Sequence, residues 1–103
     1  MTARERLPNR RASKFLDFES MGMKFTASVS RDSTGKILEL FIDNHKAGSA
    51  IGTLVRDSAI IFSFAVQCGA DAHAISRALG RASSGHALGP LVEVLDRIMG
   101  EQS

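Results

Sequence analysis

Alternating apolar and polar residues predict a β-hairpin in the first half of the chain. The clearest alternation runs over residues 24–30, with one face apolar and the other polar. Its apolar residues are Phe25, Ala27 and Val29. After a turn containing Gly35, residues 37–43 are apolar on both faces, which predicts a second strand placed centrally in the sheet. A weaker pattern over 13–20 predicts a preceding strand, with a bulge as one interpretation.

The second half of the chain changes to the helical period. Ser49 predicts an N-cap for a helix over about 50–68. The predicted core-facing positions are Ile51, Leu54, Val55, Ser58, Ile61, Phe62 and Ala65. Within 59–66 only Ser63 is polar, so this half of the helix is apolar nearly all round. Such a helix is either the central core helix or partly covered by a partner subunit.

Two shorter helices are predicted to follow. Asp71 caps a helix that runs through Leu79 and ends at Gly80, and Pro90 lies in the first turn of the last helix. Strands therefore come first and helices second. This order predicts an α+β domain over residues 15–100, in which about three helices pack on one face of a small antiparallel sheet of about three strands.

Composition narrows the class of protein. At 103 residues and 44% hydrophobic content the chain fits a single globular domain. No run reaches the roughly 18 uninterrupted apolar residues of a membrane span, and the first residues have no apolar stretch typical of a secretory signal. We therefore expect a cytoplasmic protein that does not associate with membranes.

Charge is concentrated at the N-terminus. Residues 1–14 form a basic arm with five basic side chains and one acidic one, whereas the rest of the chain carries 8 basic and 10 acidic side chains. The basic residues are Arg4, Arg6, Arg10, Arg11 and Lys14. The arm either contacts phosphates of a nucleotide, nucleic acid or acidic partner, or is a solvated tail.

The sequence offers little for catalysis or metal binding. The single cysteine, Cys68, ends an apolar helix and is expected to be a buried structural thiol rather than a nucleophile. The three histidines lack metal-ligand spacing, although His45 and His86 both lie in predicted loops and could converge. We expect no catalytic residue, no metal and no cofactor.

The remaining polar signals are candidates for ligand or partner binding. Lys46, Gly48 and Ser49 precede a helix, where free N–H groups can bind a phosphate, although helix capping alone also explains them. Glu39 interrupts an apolar strand and either faces solvent or pairs with a basic residue. The complete candidate set is Arg10, Arg11, Glu39, Lys46, Gly48, Ser49, Arg56 and Asp57.

Taken in order, several segments resemble the TSCPD domain, which occurs at the C-terminal end of vitamin B12-dependent (class II) ribonucleotide reductases and in small standalone bacterial and phage proteins. The resemblance covers roughly residues 4 to 99. The matching segments are Leu7-Pro-Asn-Arg-Arg11, Gly35-Lys-Ile-Leu-Glu-Leu-Phe-Ile42, Lys46-Ala-Gly-Ser49, Arg56-Asp-Ser-Ala-Ile60, Ser63-Phe-Ala-Val-Gln-Cys-Gly69, Ser84-Gly85 and Gly89-Pro90-Leu91.

The resemblance implies a link to ribonucleoside-diphosphate reductase and deoxyribonucleotide synthesis. It does not imply reductase activity, because that chemistry needs several cysteines and this chain has one. The Cys-Pro-Asp motif of the family is also missing. Its nearest counterpart, the segment 56–60, lacks both the cysteine and the proline. Vitamin B12 belongs to the full-length reductase and is not expected here.

Three expectations about partners follow. The first is a non-catalytic accessory domain that binds a nucleotide or a protein such as the reductase. The alternative is a small nucleic-acid-binding protein that uses the basic arm. A homodimer is expected in either case, because a domain of this size is short of chain to cover a helix that is apolar on all sides.

Overall fold

A computed structural model of the chain describes residues 13–46, 48–85 and 87–100. Its elements, in chain order, are β1 (Ser13–Ser20), β2 (Met23–Arg31), β3 (Ile37–Asn44), α1 (Ala50–Gln67), α2 (Ala72–Ala82) and α3 (Pro90–Gly100). The predicted α+β architecture is confirmed, with a three-stranded antiparallel sheet, three following helices and a central apolar helix.

A two-residue turn sets the register of the first hairpin. Met21 and Gly22 both have positive φ, 55° and 74°, which is the backbone of the tight turns that suit the twist of paired strands. The pairing continues without a break from Ser20↔Met23 to Ser13↔Ser30, so no bulge lies between β1 and β2. The first strand is therefore a regular edge strand.

The prediction that residues 37–43 form the central strand is wrong. The strand order is β1-β2-β3, so β2 is central and β3 lies at an edge. A register shift opposite Ser30 and Arg31 leaves Leu38 without a partner on β2. Leu38 and Glu39 are both buried, as are Ile37 and Leu40. Helix α1 packs along this edge strand, so its apolar residues are buried although β3 has only one neighbouring strand.

Two polar side chains of α1 bind the free edge of β3. The hydroxyl of Ser63 accepts a hydrogen bond from the Leu40 amide at 2.8 Å and lies 2.9 Å from the Leu40 carbonyl oxygen. Gln67 donates from Nε2 to the Leu38 carbonyl at 2.7 Å. These bonds satisfy backbone groups that an edge strand would otherwise expose. They also fix which side of α1 faces the sheet.

The buried side of α1 differs from the predicted one. Its buried residues are Val55, Ala59, Phe62, Ser63, Val66 and Gln67. Leu54 and Ile61, which the apolar spacing assigned to the core, are 66% and 69% exposed. At 100° per residue the buried side is rotated by roughly a quarter turn from the prediction. The physical reason is that Ser63 and Gln67 turn inward to the edge of β3.

The last two helices complete the core on the β1 side. Helix α3 packs against β1, α1 and α2, and it buries Pro90, Val94, Leu95 and Ile98. The α2 helix does not end at Gly80 as expected but continues to Ala82. No side chain of α2 is fully buried, although Ile75 and Leu79 pack against the core.

Helix α1 is also long and apolar enough to cross a membrane, judged by length and composition alone. Its 18 residues have a mean hydropathy of 1.2, and one third of them are buried, 33%. The core helices of soluble proteins have the same properties, so this finding is weak evidence for a membrane span.

A candidate binding cleft at the start of helix α1

Four of the predicted site residues line one open cleft where β3 ends and α1 begins. The cleft measures about 310 Å³. Its lining consists of Asp43, Asn44, Lys46, Gly48, Ser49, Gly52, Thr53 and Arg56. The structure therefore brings together Lys46, Gly48, Ser49 and Arg56 from two separate segments of the sequence.

The backbone of the cleft is held by capping bonds. Ser49 is the N-cap of α1, and its hydroxyl accepts a hydrogen bond from the Gly52 amide at 2.9 Å. Gly48 has a φ of +74°, which favours glycine at that position. Gly52 has no room for a side chain, because a Cβ would lie 2.7 Å from the Ser49 hydroxyl and 2.9 Å from Asn44 Cβ. The close approach of strand and helix thus depends on two glycines.

Asn44 joins the end of β3 to the loop. Its Oδ1 accepts a hydrogen bond from the Lys46 amide at 2.7 Å and lies 3.4 Å from the Ser49 hydroxyl. Its Nδ2 is buried and has no hydrogen-bond partner in the described part of the chain. An amide donor without a partner is therefore present beside the cleft.

The charges of the cleft favour an anion only slightly. Lys46 and Arg56 contribute two positive side chains, and Asp43 contributes one negative side chain. The N-terminus of α1 adds a partial positive charge of roughly half a unit, since its first N–H groups have no partner within the helix. Such an arrangement can bind a phosphate with modest affinity.

The other candidate residues lie elsewhere. Glu39 is 8% exposed, so it does not face solvent, and its neighbour across the sheet is Ser30. Asp57 lies on the exposed side of α1 with an Oδ1 3.9 Å from Arg56 Nε. The predicted contacts of Arg10 and Arg11 lie outside the described residues, as does most of the basic arm. Lys14, the last residue of that arm, is an exposed residue of β1.

Sequence reasoning missed a polar cluster around His45. The Thr26 hydroxyl lies 2.7 Å from Asp17 Oδ1 and 2.7 Å from His45 Nε2. His45 Nε2 is 4.0 Å from the same carboxylate oxygen. A second cleft, of about 490 Å³, includes Asp17 and His45 in its lining. The two-residue turn at Met21-Gly22 was the available signal, because it places Asp17 opposite Thr26.

The geometry of this cluster does not match a nucleophile activated by a base. A hydroxyl has one proton, and Thr26 uses it to donate a hydrogen bond to the Asp17 carboxylate. His45 Nε2 then acts as the donor to the Thr26 oxygen, which is the reverse of general-base activation. The side chains of His45 and Asp17 are also 47% and 81% exposed. The cluster is best described as a surface hydrogen-bond network.

The predicted convergence of His45 with His86 involves a residue, His86, that lies outside the described residues. Cys68 is the C-cap of α1 and is half-buried, so the thiol is less buried than expected. Across residues 13–46, 48–85 and 87–100 no group of three or more histidine, cysteine or acidic residues is arranged to hold a metal ion.

Comparison of the chain with protein-family models, with curated proteins and with solved structures finds no match.

Proposed function

We propose that this chain is a TSCPD-like accessory domain that binds the phosphates of a nucleotide in the cleft at the start of α1. The observation that carries the proposal is the meeting of Lys46, Gly48, Ser49 and Arg56 around one cleft of about 310 Å³. The resemblance of the sequence to the TSCPD domain supplies the class of ligand. A ribonucleoside diphosphate, the substrate class of the related reductases, is the proposed form.

In this proposal the domain binds and does not catalyse. Lys46 and Arg56 contact phosphate oxygens, and the partial positive charge at the start of α1 favours the same anion. Asp43 opposes binding, so affinity is modest and falls as salt concentration rises. The domain acts in the cytoplasm, beside the enzymes of deoxyribonucleotide synthesis.

Calorimetric titration of the full chain with ADP and with adenosine tests the ligand. We expect ADP to bind and adenosine not to bind, because the proposed contacts are all to phosphate. Lys46→Gln and Arg56→Gln each weaken ADP binding by about tenfold, the value of one charged hydrogen bond. Asp43→Asn strengthens binding.

Lys24→Gln is the matched control, since Lys24 is an exposed lysine that lines the other cleft. It leaves ADP binding unchanged. Equal binding by the native chain and by the Lys46→Gln/Arg56→Gln double variant would exclude this cleft as the phosphate site.

Association with the reductase is a separate part of the proposal. Pull-down from native lysate, followed by mass spectrometry, recovers ribonucleotide reductase subunits if the chain is an accessory domain of that enzyme. Recovery of neither reductase subunits nor a bound nucleotide would count against the whole assignment.

A further inference from the structure

Helix α1 carries an apolar stripe on the side away from the sheet. We define the exposed stripe as Leu54, Ile60, Ile61 and Phe64, with Asp57 between them. Their exposed fractions are 66%, 47%, 69% and 50% for the four apolar residues in that order. All four are exposed large hydrophobic residues, although their side chains are fully apolar.

The apolar surface continues beyond the helix. Leu54 also lines a largely apolar groove of about 300 Å³ between α1 and the last two helices. Leu79, Pro90 and Leu91 form much of its remaining wall. The stripe and the groove therefore meet at Leu54, and exposed apolar surface of this kind marks an interface on a small protein.

We propose that the exposed stripe is the contact surface for a second copy of this chain. At roughly 200 Å² for a large side chain, the four apolar residues expose roughly 450 Å² together. Two copies thus bring together roughly 900 Å² of apolar surface. Stable interfaces bury about 1,200–2,000 Å², so the proposed dimer must also bury part of the adjoining groove and the polar residues beside the stripe.

The spacing of the stripe suits two-fold pairing of antiparallel helices. Leu54 and Ile61 are two turns apart and lie on either side of Asp57, near the middle of α1. In an antiparallel pair, Leu54 therefore meets Ile61 of the second copy, and the two helix dipoles oppose each other. Asp57 lies near the two-fold axis of such a pair, and its Oδ1 is 3.9 Å from Nε of Arg56 in the same chain.

Light scattering on the full chain measures the assembly directly. We expect a particle of about twice 11.1 kDa at high micromolar concentration. Leu54→Glu and Ile61→Glu each convert it to the monomer mass, because the interface would bury an unpaired carboxylate. Both residues are exposed in the single chain, so the circular dichroism spectrum of the variants stays unchanged.

Phe15→Glu is the matched control. Phe15 is 76% exposed on the outer face of the sheet and lies outside the stripe, so this variant remains a dimer. The proposal is overturned if the native chain has the mass of a monomer. It is overturned equally if that monomer binds lipid vesicles through α1. A dimer that Phe15→Glu dissociates and Ile61→Glu does not would also overturn it.

Disulfide cross-linking tests the orientation of the helices. In a Cys68→Ser background, Asp57→Cys lies close to its own copy across the axis, and oxidation produces a cross-linked dimer on a denaturing gel. Native Cys68 lies eleven positions farther along, so two copies are roughly 30 Å apart and do not cross-link. Efficient cross-linking through Cys68 and none through Asp57→Cys would overturn the antiparallel arrangement.

Discussion

The two sides of helix α1 are similar in composition but lie in different environments. On one side Val55, Ala59 and Phe62 are at most 8% exposed, against β3 and the core. On the other side Leu54 and Ile61 are more than 60% exposed. Large apolar residues lie on both sides, so hydropathy alone did not decide which side is buried. The decision came from Ser63 and Gln67, whose polar groups bind the free edge of β3.

The largest expected effect contrasts Phe62 with its neighbour Ile61. Phe62→Ala removes a ring that is 3% exposed and lowers the free energy of unfolding by about 3–5 kcal/mol. Ile61→Ala changes the unfolding of the monomer by less than about 0.5 kcal/mol, because its side chain is already in water. Urea unfolding at two protein concentrations measures both.

In the proposed dimer, only the Ile61→Ala effect depends on protein concentration, since only Ile61 contacts the second copy. Phe62→Leu serves as the milder variant if Phe62→Ala does not fold. If both variants lost the same free energy of unfolding at every protein concentration, the two sides of α1 would not differ in environment as described.

The second prediction concerns the bonds that orient α1. Ser63→Ala leaves the buried Leu40 amide without its acceptor, and we expect a loss of about 1–3 kcal/mol in the free energy of unfolding. Ser58→Ala is the control on the same helix. Its hydroxyl donates to the Val55 carbonyl within the helix, so its removal costs less than about 0.5 kcal/mol. Chemical unfolding that gave equal losses would mean that the edge bonds do not orient the helix.

A smaller effect is expected at the start of the helix, which both sides share. Ser49→Ala removes the acceptor for the Gly52 amide and lowers the free energy of unfolding by about 1 kcal/mol. Ser49→Asp keeps an acceptor at this position and retains most of the stability. Thermal unfolding followed by circular dichroism distinguishes the two variants, and an aspartate as harmful as the alanine would argue against the capping role.

The smallest effect on stability is expected from exposed hydrogen bonds, in contrast to the buried bonds of Ser63. In the turn between β2 and β3, the side-chain hydrogen bond from Thr34 lowers the pKa of Asp32 below 3.8, and the Lys36 and Thr34 amides act in the same direction. A carboxylate with a lowered pKa stabilises the fold above its unfolded pKa, and this contribution disappears as the pH falls through the folded value.

Melting temperatures of the native chain and of Asp32→Ala, measured from neutral pH down to about pH 2, test this sign. We expect the native chain to melt higher at neutral pH and the difference to shrink below pH 3.8. A difference that does not change with pH would show that the carboxylate charge has no part in the turn.

Most of the local structure was predictable from the sequence. The alternation of Phe25, Ala27 and Val29, the cap at Ser49 and the proline at the start of α3 are signals that act within a few residues. The structure confirms each of them. The end of α2 was not predictable in this way, because a glycine inside a helix costs only about 1 kcal/mol and the helix continues past Gly80.

The candidate cleft was predictable only in part. Lys46, Gly48 and Ser49 are consecutive features of one loop, and their proximity follows from the chain itself. Arg56 reaches the same cleft because α1 begins at Ala50 and carries it back past the end of β3. The cluster of Asp17, Thr26 and His45 depends on strand register, which the turn at Gly22 fixes but apolar patterning does not reveal.

Local signals in the sequence were enough to predict the elements, their order and the α+β class, because capping, turn geometry and hydrophobic period act over a few residues. The edge position of β3 and the exposure of Leu54 and Ile61 on α1 depend instead on how the elements pack together. The second outcome follows from the first. Because β3 is an edge strand, the backbone groups of Leu38 and Leu40 need partners, and Gln67 and Ser63 provide them with α1 in the observed rotation.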